Sequence, residues 1–273
     1  MAFSSGARIN TNISAYNALN ALNSVNRDLG VHQLRLATGK RINSAADDPS
    51  GYAISKKMEG RIGALSSALD NVGDAQSVYG VAEGAYQTVA DMIVQIKQKQ
   101  TRFNNGAMGT DEQNAITQEI KDLATDPDDT AAQTKFNGTQ LLAGSYSKTF
   151  QVSEGASETF TVAFTSITSA SLLGTAAGSI TSANVGALTA DAGLSSINTE
   201  LGKIGAAVNR LSTKESNLTT AITNTQAAKS RILDTDIAQE QIASTKDQIL
   251  QQTATAQLAQ ANSSPQVFLS LFR

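Results

Sequence analysis

The sequence has no cysteine, no tryptophan, one histidine and three prolines among its 273 residues. Without cysteine there are neither disulfides nor thiolate metal ligands, so the fold must be stable without covalent cross-links. One histidine, His32, excludes any site that needs a pair of histidines. Aromatic residues make up only 5% of the chain, which is low for a compact globule. Extended helical structure fits this composition better.

Strong net charge and long apolar runs are also missing. The net charge of -3 argues against a nucleic-acid partner or an anionic membrane surface. No apolar run approaches the length that spans a bilayer, so no membrane insertion is expected. The first residues, Met1 to Arg8, lack the apolar stretch of a cleaved signal peptide. We therefore expect a soluble chain that is not exported through a cleaved signal.

Apolar periodicity is the strongest pattern that is present. Beyond Met58, alternating steps of three and four residues predict a long helix with a heptad seam, which comprises Ile62, Leu65, Leu69, Val72, Gln76, Tyr79, Glu83, Tyr86, Ala90 and Ile93. Gln76 and Glu83 interrupt this seam. Polar seam residues cost stability and specify register, so we interpret these two as fixing the alignment of the helix with its partner.

A second seam with the same spacing predicts another long helix, and it comprises Leu194, Ile197, Leu201, Ile204, Val208, Leu211, Glu215, Leu218, Ile222, Thr225, Lys229 and Ile232. At about 1.5 Å per residue each helix would be roughly 60 Å long or more. We expect the two to pack antiparallel, with a bundle core at Ile62, Leu65, Leu69, Val72, Leu201, Ile204, Val208 and Leu211. A shorter helix, Asp111 to Ala124, would complete the bundle and end before Pro127.

Loops are marked by glycine, asparagine, aspartate and proline. The segment around Asp47, Asp48, Pro49 and Gly51 predicts a connector before a helix that starts near Ser50. The adjacent carboxylates are typical of a solvated turn or helix cap rather than a metal site. His32 is expected at an ordinary polar helix position. Alternating residues within 145–165 predict a hairpin, and 165–190, rich in Ser, Ala and Thr, predicts no independent domain.

Both ends of the chain carry amphipathic stripes. We expect the first set of residues to face the second: Ile9, Ile13, Tyr16, Leu19, Leu22 and Leu29 against Ile242, Ile249, Leu250, Leu258 and Leu271. Val267, Phe268 and Phe272 extend the apolar tail. Amphipathic helices without packing are marginal in water. We therefore expect both ends to be disordered in the free subunit and to fold when copies of the chain associate into a tube.

Several motifs occur in the order known from one family. They are Ile9 to Ala15 at the amino end, Ala82 to Ala85, Phe136-Asn137-Gly138 before Leu141-Leu142, Ser230 to Asp236, Ile249 to Gln252, and Leu258 to Asn262 followed by Pro265-Gln266. In these motifs the chain resembles the bacterial flagellins. The resemblance covers both ends and most of the middle, although Asn-Gly alone is a common turn.

The resemblance implies a structural subunit that polymerises into the flagellar filament used for swimming. It places residues 1–40 and 235–273 in an inner coiled coil, 41–52 in a connector and 53–234 in an outer helical bundle. The short stretch after Phe164 implies that the hypervariable outer domain is missing. It further implies secretion to the cell exterior, and contacts with the flagellar export machinery, a carboxyl-terminal export chaperone, and the hook-filament junction and cap proteins. No cofactor or metal is implied.

Other functions were weighed against this one. An enzyme is disfavoured, because the chain has no phosphate-binding Gly-rich loop with lysine, no zinc helix with paired histidines and no thiol nucleophile. The hook-filament junction protein shares terminal helices, and a filament flagellin with an additional surface-adhesion role is a further alternative. Gln95 and Gln98 replace an Arg and a Glu that an animal innate-immune receptor engages in the family. The resemblance therefore implies weak stimulation of that receptor.

Overall fold

A computed structural model describes residues 11–144, 146–155 and 157–270, apart from the side chains of 264–270. Its helices are α1 Ile13–Thr38, α2 Pro49–Phe103, α3 Thr110–Gln133, α4 Ser169–Leu173, α5 Ala190–Leu233 and α6 Ile237–Ser270. Its strands are β1 Lys135–Phe136, β2 Thr139–Gln140, β3 Tyr146–Gln151 and β4 Thr159–Phe164, paired as two antiparallel hairpins. The predicted mainly α fold of long helices with a small β-hairpin region is confirmed.

The chain divides into two compact units, and the divisions fall within α2 and α5. The end unit comprises the two ends of the chain, up to Gly60 and from Thr225. The middle unit is Arg61–Asn224. The hydrophobic core, which runs from Leu65 to Leu218 in sequence, lies entirely in the middle unit. Apolar burial is therefore concentrated in one of the two units.

A heptad seam on α2 forms one side of the core in the middle unit. Its buried positions are Leu65, Ala68, Val72, Ala75, Tyr79, Ala82, Tyr86, Val89, Ile93 and Ile96. Every second position, from Leu65 to Ile93, agrees with the sequence prediction. Ala68, Ala75, Ala82 and Val89 lie one residue earlier than predicted, and Ile96 lies beyond the predicted seam. Gln76 and Glu83 are half-buried beside the seam. Gln76 and Glu83 therefore do not interrupt the seam, because alanines occupy it at those levels. Their role in fixing the alignment of the helix with its partner stays a prediction.

α5 packs against α2 in the antiparallel direction within the middle unit. Gln76 Nε2 donates to Glu215 Oε2 at 3.1 Å, and further along α2 Lys97 pairs with Asp191. Residue numbers thus rise along one helix while they fall along the other. The large apolar residues of α5 that are buried here are Ile197, Ile204, Leu211 and Leu218. Each is seven residues from the next, as the second predicted seam requires.

α3 is longer than the sequence predicts, since it continues through Pro127 to Gln133. Proline removes one helical hydrogen bond and disfavours helix in the residue before it. Here Pro127 and Ala131 are buried, and this burial offsets the local cost. Asp128 then accepts hydrogen bonds from the backbone N–H and the hydroxyl of Ser169, both at 2.7 Å, which fixes the start of α4.

The two hairpins and the segment that follows them contribute apolar residues to the core of the middle unit. Asn137 and Gly138 have φ of 46° and 77°, the left-handed pair that a tight turn between β1 and β2 requires. Tyr79 meets the Phe164 ring edge-on at 5.3 Å between centroids. The segment 165–190, from which the sequence predicted little, forms α4 and two short 3₁₀ turns. It buries Ile167, Leu172, Leu173, Ile180, Val185 and Leu188 in the core.

Candidate self-assembly surface

The two terminal helices of the end unit, α1 and α6, form an antiparallel pair. The Asn12 side-chain amide donates to the Ala261 carbonyl at 2.6 Å, and Gln251 Nε2 donates to Asn26 Oδ1 at 2.7 Å. Early residues of α1 therefore meet late residues of α6. The bond from Gln251 is exposed to solvent, whereas the bond from Asn12 is partly buried.

The seam inside this pair buries little apolar surface. In α1, all of which the structure describes, Leu29 is the one buried residue. On α6 the buried side chains Glu240 and Ser244 are polar. Leu22 and Leu258 are half-buried. The seam holds the helices in register but supplies only a small hydrophobic contribution to their stability.

The larger apolar side chains lie on the outer face of the pair, which corrects the sequence expectation that they face one another. Tyr16 is 65% exposed, Ile242 71% and Ile249 60%. Ile13, Leu19 and Leu250 are exposed as well. The physical reason is that the inner face of α1 follows a heptad spacing through small and medium residues, which are Ala15, Ala18, Leu22, Val25 and Leu29. The outer apolar face, defined by Ile13, Tyr16, Leu19, Ile242, Ile249 and Leu250, is exposed to solvent in the part of the chain that the structure describes.

Five of the predicted terminal residues lie at positions that the structure does not describe in full. Ile9, Leu271 and Phe272 lie outside the described residues, and so do the side chains of Val267 and Phe268. Within the described part of the chain, no helix is both long and apolar enough to cross a membrane. The same residues contain no group of three or more metal-ligating side chains.

Comparison with known proteins decides the family. The model of the bacterial flagellin N-terminal helical region matches residues 9–147, and that of the C-terminal helical region matches residues 188–272. The chain belongs to the bacterial flagellins. Members of this family are structural subunits of the flagellar filament, and that role holds for this chain.

Flagellins of similar length align with almost the whole chain. Flagellin FlaB1 of Treponema pallidum (strain Nichols) is 33% identical over 285 residues, covering 97% of this chain and 99% of that protein. The flagellin of Bacillus subtilis (strain 168) is 35% identical over 308 residues, covering 97% of this chain and 100% of that protein. A crystal structure of Bacillus cereus flagellin is 20% identical and covers 57% of this chain and 88% of that chain, with a TM-score of 0.39.

The connector of this flagellin is a capped turn. Asp47 accepts hydrogen bonds from the backbone N–H groups of Asn43 and Ser44, which lower the pKa of its carboxyl group. Asp48 accepts from the N–H groups of Ser50 and Gly51 and so caps α2, which begins at Pro49. Both carboxylates therefore have backbone partners, as expected for a turn and a helix cap.

Backbone pairing joins this connector to the return of the chain between α5 and α6. Arg41 N donates to the Leu233 carbonyl at 2.7 Å, and Thr235 N donates to the Gly39 carbonyl at 3.1 Å. Gly39 has φ of 68°, the left-handed conformation that ends α1. The two segments that lead into the α1 and α6 pair are thus held together by the main chain.

Sequence reasoning missed a cluster of charged side chains in the seam of the pair. His32 contacts Glu240, and Arg35 Nη1 donates to Glu240 Oε1 at 3.2 Å. Burial raises the pKa of Glu240, but the hydrogen bonds from His32 and Arg35 outweigh it and leave that pKa below its usual value. The expectation that His32 is an ordinary polar position is therefore wrong. Heptad spacing through Glu240, Asp247 and Leu258 on α6 could have revealed the cluster.

The predicted bundle positions and the receptor-facing positions lie in the middle unit. Leu65, Val72, Ile204 and Leu211 are buried in the core, whereas Leu69, Leu201 and Val208 are partly buried against it. Ile62 is half-buried. Gln95 and Gln98 are exposed on α2. Weak recognition by the immune receptor stays a prediction.

Proposed function

We propose that this flagellin polymerises through its end unit, where the outer apolar face docks onto neighbouring copies of the chain. The observation that carries this proposal is the exposure of Tyr16, Ile242 and Ile249 on well-formed helices. Large apolar side chains exposed on helix surfaces are typical of interaction surfaces. A filament subunit has such a partner in every adjacent copy.

We further propose that α1 and α6 become stably ordered only on assembly. Full burial of a side chain such as Ile249 contributes about 1.5 to 3 kcal/mol. Several such side chains per contact would offset the entropy of ordering two long helices. The seam of the isolated pair supports this proposal. Leu29 is the one buried residue of α1 and the buried side chains of the described part of α6 are polar, so the seam supplies little of that burial.

The form of the polymer follows from where the outer apolar face lies. It has one part on α1, around Tyr16, and an unlike part on α6, around Ile249. Contacts between unlike patches of identical molecules are head-to-tail, and they produce an open helical filament when the rotation does not close. A tube of subunits is the product expected from this arrangement.

Family membership also supports the finer parts of the proposed role. We propose that the chain is secreted through the flagellar export machinery, delivered by a carboxyl-terminal export chaperone, and assembled between the hook-filament junction and cap proteins. In this proposal the filament is extracellular, and the chain performs no catalysis.

Replacement of Ile242 and Ile249 by glutamate tests the assembly surface. Both side chains are exposed, so the soluble subunit should keep its helical circular dichroism and thermal unfolding profile. Filaments should be absent when sedimentation and electron microscopy are used to follow polymerisation. The controls are Ile249→Leu, which keeps the apolar contact, and Thr161→Glu, which adds a charge at an exposed position of β4. Normal filaments from the double glutamate variant would refute the proposal.

A further inference from the structure

The strongest unexplained feature is the position of the chain's single histidine between two carboxylates. His32 Nδ1 contacts Glu240 Oε2, and His32 Nε2 lies 3.6 Å from Asp247 Oδ2. All three side chains are mostly shielded in the seam between α1 and α6. Glu240 is also contacted by Arg35 and, at 3.2 Å, by the hydroxyl of Thr235. The histidine is therefore the one link in this cluster between Glu240 and Asp247.

The protonation state of His32 decides whether its ring can donate a hydrogen bond to one carboxylate or to both. A neutral imidazole has one N–H donor and one acceptor nitrogen, whereas an imidazolium has two donors. If the neutral ring donates to Glu240, its other nitrogen presents a lone pair to Asp247. Asp247 Oδ2 is buried and has no hydrogen-bond partner among the described residues. Only the doubly protonated ring offers an N–H toward both carboxylates.

The surrounding charges favour the same protonation state. Arg35 of α1 and the nearby Arg41 and Arg231 bring three positive charges to the depression that His32 lines. Asp234 and Asp236 line the same depression.

Together with Glu240 and Asp247 these carboxylates bring four negative charges to the cluster. A protonated His32 would therefore balance the cluster. The nearest other charged side chains along the two helices, Asp28 and Lys246, are exposed.

We propose that His32 is a proton-dependent contact that controls the stability of the α1 and α6 pair, and through it the stability of the polymer. The second part rests on the proposed function. In the paired helices a doubly protonated His32 offers an N–H to each of the two carboxylates, and separated helices lose both contacts. This contribution is therefore present at the acidic side of the histidine titration range and is lost as the pH rises through it. Filaments should be more stable near pH 6 than near pH 8.

The experiment compares the critical concentration for polymerisation of the full chain and of His32→Gln at about pH 5.5 and about pH 8. The chain has one histidine and no cysteine, so no other side chain ordinarily titrates in this interval. For the natural chain we expect the critical concentration to rise about tenfold across it. His32→Gln should show no rise. Asp247→Asn should show a smaller one, whereas Lys246→Gln, a matched change at the exposed neighbouring position, should behave like the natural chain.

A critical concentration of the natural chain that does not change with pH would overturn the inference, and so would an equal rise in His32→Gln. Failure of the natural chain to form filaments at either pH would count against the proposed function instead. Amide hydrogen exchange of α1 and α6 in the soluble chains then decides the inference. Greater protection at the lower pH in the natural chain alone supports it, and equal protection at both pH values overturns it.

Discussion

At the scale of single residues, the start of α2 shows how neighbouring side chains can require glycine at one position. A Cβ added to Gly51 would lie 2.4 Å from Asp48 Oδ2 and 2.7 Å from Ile42 Cδ1. Asp48 is the cap of α2, and Ile42 is among the few buried apolar residues of the end unit. Glycine is therefore needed here for close packing and not for an unusual backbone conformation.

Replacement of Gly51 by alanine should loosen the first turn of α2. The added methyl group displaces the Asp48 carboxylate, and loss of a helix cap costs about 0.5 to 2 kcal/mol. Hydrogen exchange at the amides of Tyr52 to Ser55 measures this local change. Gly60→Ala is the matched control, because nothing lies within 4 Å of its added Cβ. The control should gain about 0.5 to 1 kcal/mol of helix stability. Equal protection in both variants would contradict the steric explanation.

At the scale of elements, periodicity predicted the long helices well and their contact faces only in part. The α5 seam follows the predicted spacing, because Ile204, Leu211 and Leu218 stand out among polar neighbours. On α2 the larger Leu69 suggested the wrong register, whereas the small Ala68 is the residue that the packing buries. Hydrophobic size indicates that a helix has an apolar face, but close helix packing selects small residues on it.

The same limitation explains the terminal helices and α3. Large residues such as Tyr16 and Ile249 suggested an intramolecular seam, yet they lie on the outer apolar face. A single sequence does not say whether an apolar stripe meets its own chain or another copy. Pro127 predicted a helix end from a local rule, and tertiary burial overrode that rule. The cluster around His32 joins residues 208 positions apart. The heptad spacing of α6 can mark Glu240 and Asp247 as seam positions, but it does not identify their partner on α1.

A pair of adjacent substitutions distinguishes the two registers of α2. Ala75 is fully buried, so Ala75→Gln should overpack the core and bury a polar group, which lowers the free energy of unfolding by about 1 to 3 kcal/mol. Gln76→Ala loses only its hydrogen bond to Glu215 and should change stability by about 1 kcal/mol or less. Urea unfolding followed by circular dichroism measures both. A larger loss from Gln76→Ala than from Ala75→Gln would restore the register predicted from sequence.

At the scale of the whole molecule, the two units differ in what stabilises them. The middle unit has a continuous apolar core that runs from Leu65 to Leu218 in sequence. In the end unit, the α1 and α6 pair has a polar seam and an uncovered apolar face. Local opening should be easiest where few apolar contacts are buried. The proposed ordering of α1 and α6 on assembly uses this difference, because neighbouring copies would supply the apolar burial that the end unit lacks.

Limited trypsin digestion should show this difference directly. In the soluble chain, cleavage should come first at Arg27 and Arg35 of α1 and at Lys246 of α6, leaving a resistant fragment that contains the middle unit. In filaments these sites should be protected, because neighbouring copies cover the outer apolar face and hold α1 and α6 together. The Ile242→Glu, Ile249→Glu chain is the control, since under the same polymerising conditions it should remain soluble and lose both ends. If the ends of the soluble chain resist trypsin as long as the middle unit does, the α1 and α6 pair is stable without neighbours, and ordering on assembly is wrong.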